Sequence, residues 1–239
     1  MNYLFVALVA FAGSTIQAAS GFGYAILCMS LWPLLLPFRT ASIIEALTAF
    51  AMVVSITVRL RKSINFKLLL WPALASMLAS TFGVFALMSS TEALLRRVLG
   101  VALVLLSIYF VFFSGRLRLK PTWYSGVIAG AISGFCGGMF NIGGPPMVAY
   151  FLSVTDDKLE YNATLQAFFC LTTSYIFIAH LVMGNVTAEV MQLSAAALAG
   201  VAGGTGLGFL LFRRLSMEGI RKFVYVFTAV AGISLVVTG

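Results

Sequence analysis

Long stretches of hydrocarbon side chains alternate with short polar turns along this chain, and none shows the every-second-residue alternation of a half-buried strand. The runs 41–58, 68–88, 93–115, 161–184 and 190–212 each approach the ~20 residues with which a helix crosses ~30 Å of hydrocarbon. A sixth, 217–239, is shortened by Glu218, Arg221 and Lys222 but still crosses from about residue 223. The stretches 1–38 and 121–155 are different. Each is too long for one helix and carries glycines at its centre, "SGFG" from Ser20 in the first and "GFCGGMFNIGGPP" from Gly134 in the second.

Composition fixes the solvent. Of 239 residues 61% are hydrophobic and 9% charged, with a mean hydropathy of +1.05, so the chain is read as an all-α integral membrane protein. A β-barrel is excluded by the missing alternation. The formal charge of +8 does not indicate nucleic acid, because the basic residues sit in short loops between apolar runs, where they set orientation. Cys28, Cys136 and Cys170 lie inside apolar stretches without CxxC spacing and read as packing residues. The opening segment mimics a secretory signal but lacks a basic start, and cleavage is not expected.

Loop charges decide how the broken stretches run. Arg59, Arg61, Lys62 and Lys67 mark one loop, Arg116, Arg118 and Lys120 a second, and Arg213, Arg214, Arg221 and Lys222 a third. All three face the cytoplasm only if the stretch 121–155 makes no net crossing, which makes it a re-entrant hairpin. The order is then hairpin 1–38 and three spans in residues 1–120, followed by hairpin 121–155 and three spans in residues 121–239. Three crossings are an odd number, so the halves form two inverted-topology repeats, with both termini on the outer face. The sequence echoes the duplication: Gly13 aligns with Gly134, Ser20 with Asn141 and Gly23 with Gly144, and "EALTAF" from Glu45 with "ATLQAF" from Ala163.

Such repeats with interrupted helices hold substrate near the midplane, where the interruptions meet. The returning arms start helices after Gly21 and Gly23 and at Pro145 and Pro146, so two positive helix ends face the protein centre and form an anion site. The expected substrate-binding residues are Gln17, Ser20, Gly21, Phe22 and Gly23 from the first hairpin, Asn141, Gly143, Gly144 and Pro145 from the second, and Gln166, with Thr48, from the spans that follow. Neutral donors hold an anion weakly enough to release it. Glu45 and His180, the ionisable residues within the spans, are placed about a turn from the outer boundary, Glu45 to pair with Arg39 and His180 at the interface. "GGTGLG" at 203–208 is read as helix packing. No catalytic residue, metal ligand or cofactor is expected, and an intramembrane enzyme is disfavoured by the missing nucleophile and base. A cation carrier or channel is the rival within transport.

The stretches "SGFGYAILCMSLWPLLLP" (20–37) and "GFCGGMFNIGGPPMVAY" (134–150) resemble the paired signature segments of the TauE/SafE family of sulfite/sulfonate exporters. The resemblance runs the length of the chain and is sharpest at "GGPPMVAY". It implies a multi-pass transporter of the prokaryotic cytoplasmic membrane that moves sulfite or small organosulfonates such as sulfoacetate outward. Its partners would be a small anion, lipid and, in a homodimer, a second copy. The first signature falls on Ser20–Gly23; the second falls on Asn141, Gly143, Gly144, Pro145 and Pro146. Many members have a "GxGGG"-like first segment where this chain has "AASGFGYA", which makes the two halves of the site unequal. A dianion leaving a cell held at ~100 mV, inside negative, gains roughly 4.6 kcal/mol, so potential-driven exit without a coupled proton is expected.

Overall fold

A computed structural model describes residues 2–113, 122–211, 229–230 and 232–237, apart from the side chains of Ser20 and residues 109–113. All regular structure among them is helical. The order is α1 (Asn2–Ser20), α2 (Tyr24–Leu31), α3 (Phe38–Leu60), α4 (Phe66–Ser89), α5 (Glu92–Phe113), α6 (Trp123–Phe140), α7 (Gly144–Val154), α8 (Lys158–Val182) and α9 (Ala188–Leu211), with short 3-10 turns at Trp32–Leu34 and Arg61–Ser63. The last predicted span, 217–239, lies mostly outside the described residues.

Helix ends fall where side chains can satisfy the free amides. Pro37 precedes α3, whose first amides, Phe38 and Arg39, donate to the Glu92 carboxylate. Asn65 caps α4 by accepting from Lys67 and Leu68, Thr122 caps α6 through Ser125, and Asp157 caps α8 through Glu160. Five helices, α1, α3, α4, α8 and α9, are long and apolar enough to cross a membrane. The entering arm α1 is therefore itself of crossing length, longer than the half-depth arm expected from the sequence.

The packing pairs repeat. α1 lies along α9, and α4 lies along α6, in the two most extensive contacts; α3 and α8 meet at the centre. Both long contacts rest on glycines one turn apart. A Cβ on Gly130, Gly134 or Gly138 of α6 would run into the backbone of Pro72, Ser76 or Ser80 in α4. A Cβ on Gly200, Gly204 or Gly208 of α9 would run into that of Ala7, Phe11 or Thr15 in α1. Close approach of this kind is what small residues supply in lipid, where no hydrophobic effect drives helices together. Gly204 and Gly208 belong to the run read as packing, whereas Gly206 has open space around it.

Candidate functional site

The first break begins where α1 closes on itself, Gly21 N–H donating to the Gln17 carbonyl at 2.8 Å. The chain then turns through Gly21 at φ 87° and Gly23 at φ 123°, conformations that side chains rarely adopt. α2 starts at once, and its first amide, Tyr24 N–H, donates to Gln17 Oε1 at 3.1 Å. α2 folds back along α1, so that Gly13 faces the Tyr24 ring and the Cys28 sulfur. From the other half of the chain, Gln166 Nε2 donates to the Gly21 carbonyl at 3.0 Å.

The second break uses other residues for the same turn. Asn141 N–H donates to the Gly137 carbonyl at 2.8 Å, with Asn141 in the left-handed region at φ 60°. The Asn141 amide Nδ2 donates to the Ser42 carbonyl at 2.7 Å and to Ser42 Oγ at 2.9 Å. Ser133 Oγ donates to the Gly143 carbonyl. α7 starts at Gly144 with its prolines in the first turn, where they forfeit no helical hydrogen bond, and returns along α6 until Tyr150 meets Gly126. Each break is thus braced by the long helix of the other half, the first by α8 and the second by α3.

The N-termini of α2 and α7 open on one cavity of about 70 Å³. Gln17, Phe22, Gly23, Ala25 and Ile26 line it from the first hairpin, and Asn141, Ile142, Gly143, Gly144 and Pro145 from the second. Ala49 of α3, Ser76 of α4 and Thr172 of α8 close it, all near the middle of helices of crossing length. With Tyr24 N–H taken by Gln17, the unpaired amides at the start of α2 are those of Ala25 and Ile26. Ser76 Oγ is buried and without a partner. Among the described residues no group of His, Cys, Asp or Glu is arranged to hold a metal ion.

Of the residues expected from the sequence, Gln17, Phe22, Gly23, Asn141, Gly143, Gly144 and Pro145 meet at this cavity. Gln166 and Gly21 do not line it: they hold each other behind the first break. The side chain of Ser20 lies outside the described residues. Thr48 also stands back, its hydroxyl 2.6 Å from the Tyr24 hydroxyl. Asn141 lines the cavity, and its amide Nδ2, donating to both Ser42 oxygens, braces the turn.

Two placements differ from expectation. Glu45 is not paired with Arg39; it is 2% exposed and lines the cavity. The two are six positions apart on α3, off the three- or four-residue spacing that brings helix side chains together, and Arg39 Nη2 instead donates to the Met88 and Ser90 carbonyls at 2.8 Å. His180, in the last turn of α8 as expected, is covered by protein rather than exposed, one turn beyond buried Ile176 on the same face, its Nδ1 3.1 Å from Asn185 Nδ2. Ser76 and Ser133, which also line the cavity, were not among the expected residues; each is a lone serine among small residues with no motif around it.

Interrupted helices whose N-termini meet at one cavity are an arrangement common among membrane transporters. The chain matches the family model for the sulfite exporter TauE/SafE over residues 5–235, and it belongs to that family. No curated protein and no solved structure matches it.

Proposed function

We propose that the protein exports a compact sulfur-containing anion, sulfite or a small organosulfonate, and that the cavity between the two breaks is its binding site. One observation carries the reading: the N-terminus of α2, with the Ala25 and Ile26 amides, and that of α7, with the Gly144 amide ahead of two prolines that have none, open on the same cavity. Backbone N–H groups at helix N-termini favour an anion by hydrogen bonding and by the helix dipole, and a three-oxygen sulfur head accepts from several directions at once. Space bears on the substrate. About 70 Å³ corresponds to roughly five waters, enough for a sulfite-sized head and short of a long organic tail.

The same reading treats the two halves as inverted repeats that rock against each other to expose the cavity to either side. Three observations support it: the exchanged packing of α1 on α9 and α6 on α4, the antiparallel return of each short arm, and the bracing of each break by the opposite half. The three basic loops then face the cytoplasm of a prokaryotic cell, with both termini outside.

A second reading, a cation carrier, draws on Glu45, since a carboxylate at depth is the usual partner of a transported cation. Melting of the detergent-purified protein with sulfite, sulfoacetate, taurine, sulfate, chloride and metal cations separates the two. A ligand at a hundred times its Kd adds about 2.7 kcal/mol of stability, here a rise of roughly 5–10 °C. A rise with a sulfur anion and none with chloride is the expected result. A rise with a metal cation alone would replace the anion site by the cation site.

A further inference from the structure

Glu45 is out of keeping with a site built from neutral donors. It sits two turns into α3, 2% exposed, and shares the cavity with the α2 and α7 N-termini. Among the described residues no hydrogen bond reaches its carboxyl, and no Lys, Arg, His or other acid lines the cavity. From α2, Tyr24 and Cys28 lie close enough to feel its charge, and the Tyr24 hydroxyl is engaged by Thr48. From α4 and α6 the groups facing the cavity are Ser76, Ser133 and glycine backbone, and from α8 they are aromatic rings, threonines and Ile176. Among the described residues lining the cavity, Glu45 has no counter-charge.

An anion held in so small a space lies within a few ångströms of that carboxyl. Two negative charges at this distance, away from bulk water, repel strongly, and the neutral donors around them compensate only part of it. A proton on Glu45 removes the repulsion and turns an acceptor-only group into one that also donates.

We propose that Glu45 takes up a proton as the anion binds, so that anion and proton occupy and cross the cavity together. This rests on the anion reading of the site. One proton passes from solvent to the carboxylate on binding and returns to solvent on release at the other face, with no bond to substrate formed and nothing oxidised. A monovalent sulfonate then crosses without net charge, and a dianion carries one charge instead of two. The potential-driven, proton-free exit expected from the sequence assumed that no acid stood at depth; Glu45 removes that premise.

The test is isothermal titration calorimetry on the full-length protein in detergent with methanesulfonate, a compact anion that stays ionised throughout, in paired buffers of different ionisation enthalpy between about pH 6 and about pH 9. Wild type should take up about one proton per anion in the upper part of the range, its affinity rising up to ~10-fold per pH unit of acidification there. Glu45→Gln should take up none and bind with affinity independent of pH. Anion binding by wild type without proton uptake would overturn the coupling and leave the anion site standing. Binding of neither methanesulfonate nor sulfite would overturn both. If Glu45→Gln does not fold, the wild-type proton count decides the matter alone.

Discussion

The two breaks perform one operation with different chemistry. In the first, Gly21 and Gly23 are glycines because of dihedral angle, φ 87° and 123°. In the second the only positive φ belongs to Asn141, and Gly143 is a glycine because of space: a Cβ there would lie 2.5 Å from the Ser133 carbonyl oxygen. The glycine stripes have shifted as well. They belong to the hairpin arm α6 in one long contact and to the span α9 in the other. A close helix contact needs one smooth partner, and either helix can supply it. What the halves share is therefore backbone geometry, and this is why their sequence echo is faint.

Substitutions can break this comparison at several strengths. The largest effect is expected at the stripes. Gly134→Leu drives a side chain into the Ser76 backbone and Gly204→Leu into that of Phe11, and each should cost about 3 kcal/mol or more, lowering the melting temperature by at least roughly 6–12 °C. Gly206→Leu, which meets nothing within 4 Å, should change stability by no more than ~0.5 kcal/mol. Equal effects at Gly206 and Gly134 would remove the stripe as the basis of packing. A middle effect is expected at the breaks. Gly23→Ala meets both a positive φ and Ile16 Cγ2 at 2.9 Å and should cost ~1–3 kcal/mol, whereas Gly144→Ala finds its nearest neighbour at 3.5 Å and should cost less than ~1 kcal/mol. Thermal melts of the pair decide it, and the reverse order would mean that the second break is the tighter one.

Helix positions and both interruptions were legible in the sequence because they depend on local properties. Run length set α3, α4, α5, α8 and α9 to within a few residues, and glycine, asparagine and proline marked the turns at 21–23 and 141–143. What was not legible was which way a side chain faces. A helix apolar on all sides has no polar stripe to orient it, so Glu45 could be placed along α3 but not around it. The partners of Gln166 and Asn141 are 145 and 99 residues away, beyond the reach of any local pattern. Of the five glycines from Gly134 to Gly144, only Gly143 and Gly144 were expected to bind substrate; Gly134 and Gly138 serve the α4 contact, and Gly143 also serves the turn itself.

The smallest prediction sharpens the contrast most, because it splits one residue into two functions. Asn141 contributes a left-handed turn and two hydrogen bonds to Ser42. Asn141→Gly keeps the turn and loses the bonds; Asn141→Ala loses both. The bonds should account for about 1–3 kcal/mol in either variant, and the left-handed conformation should add about 1 kcal/mol for alanine alone. If alanine and glycine melt together, the turn imposes no strain and the second break is held by its brace on α3. If glycine melts with wild type, the brace is idle and the left-handed residue carries the turn. The expected order, wild type above glycine above alanine, would make the second break a conformational turn reinforced from the opposite half, as Gln166 reinforces the glycine turn of the first.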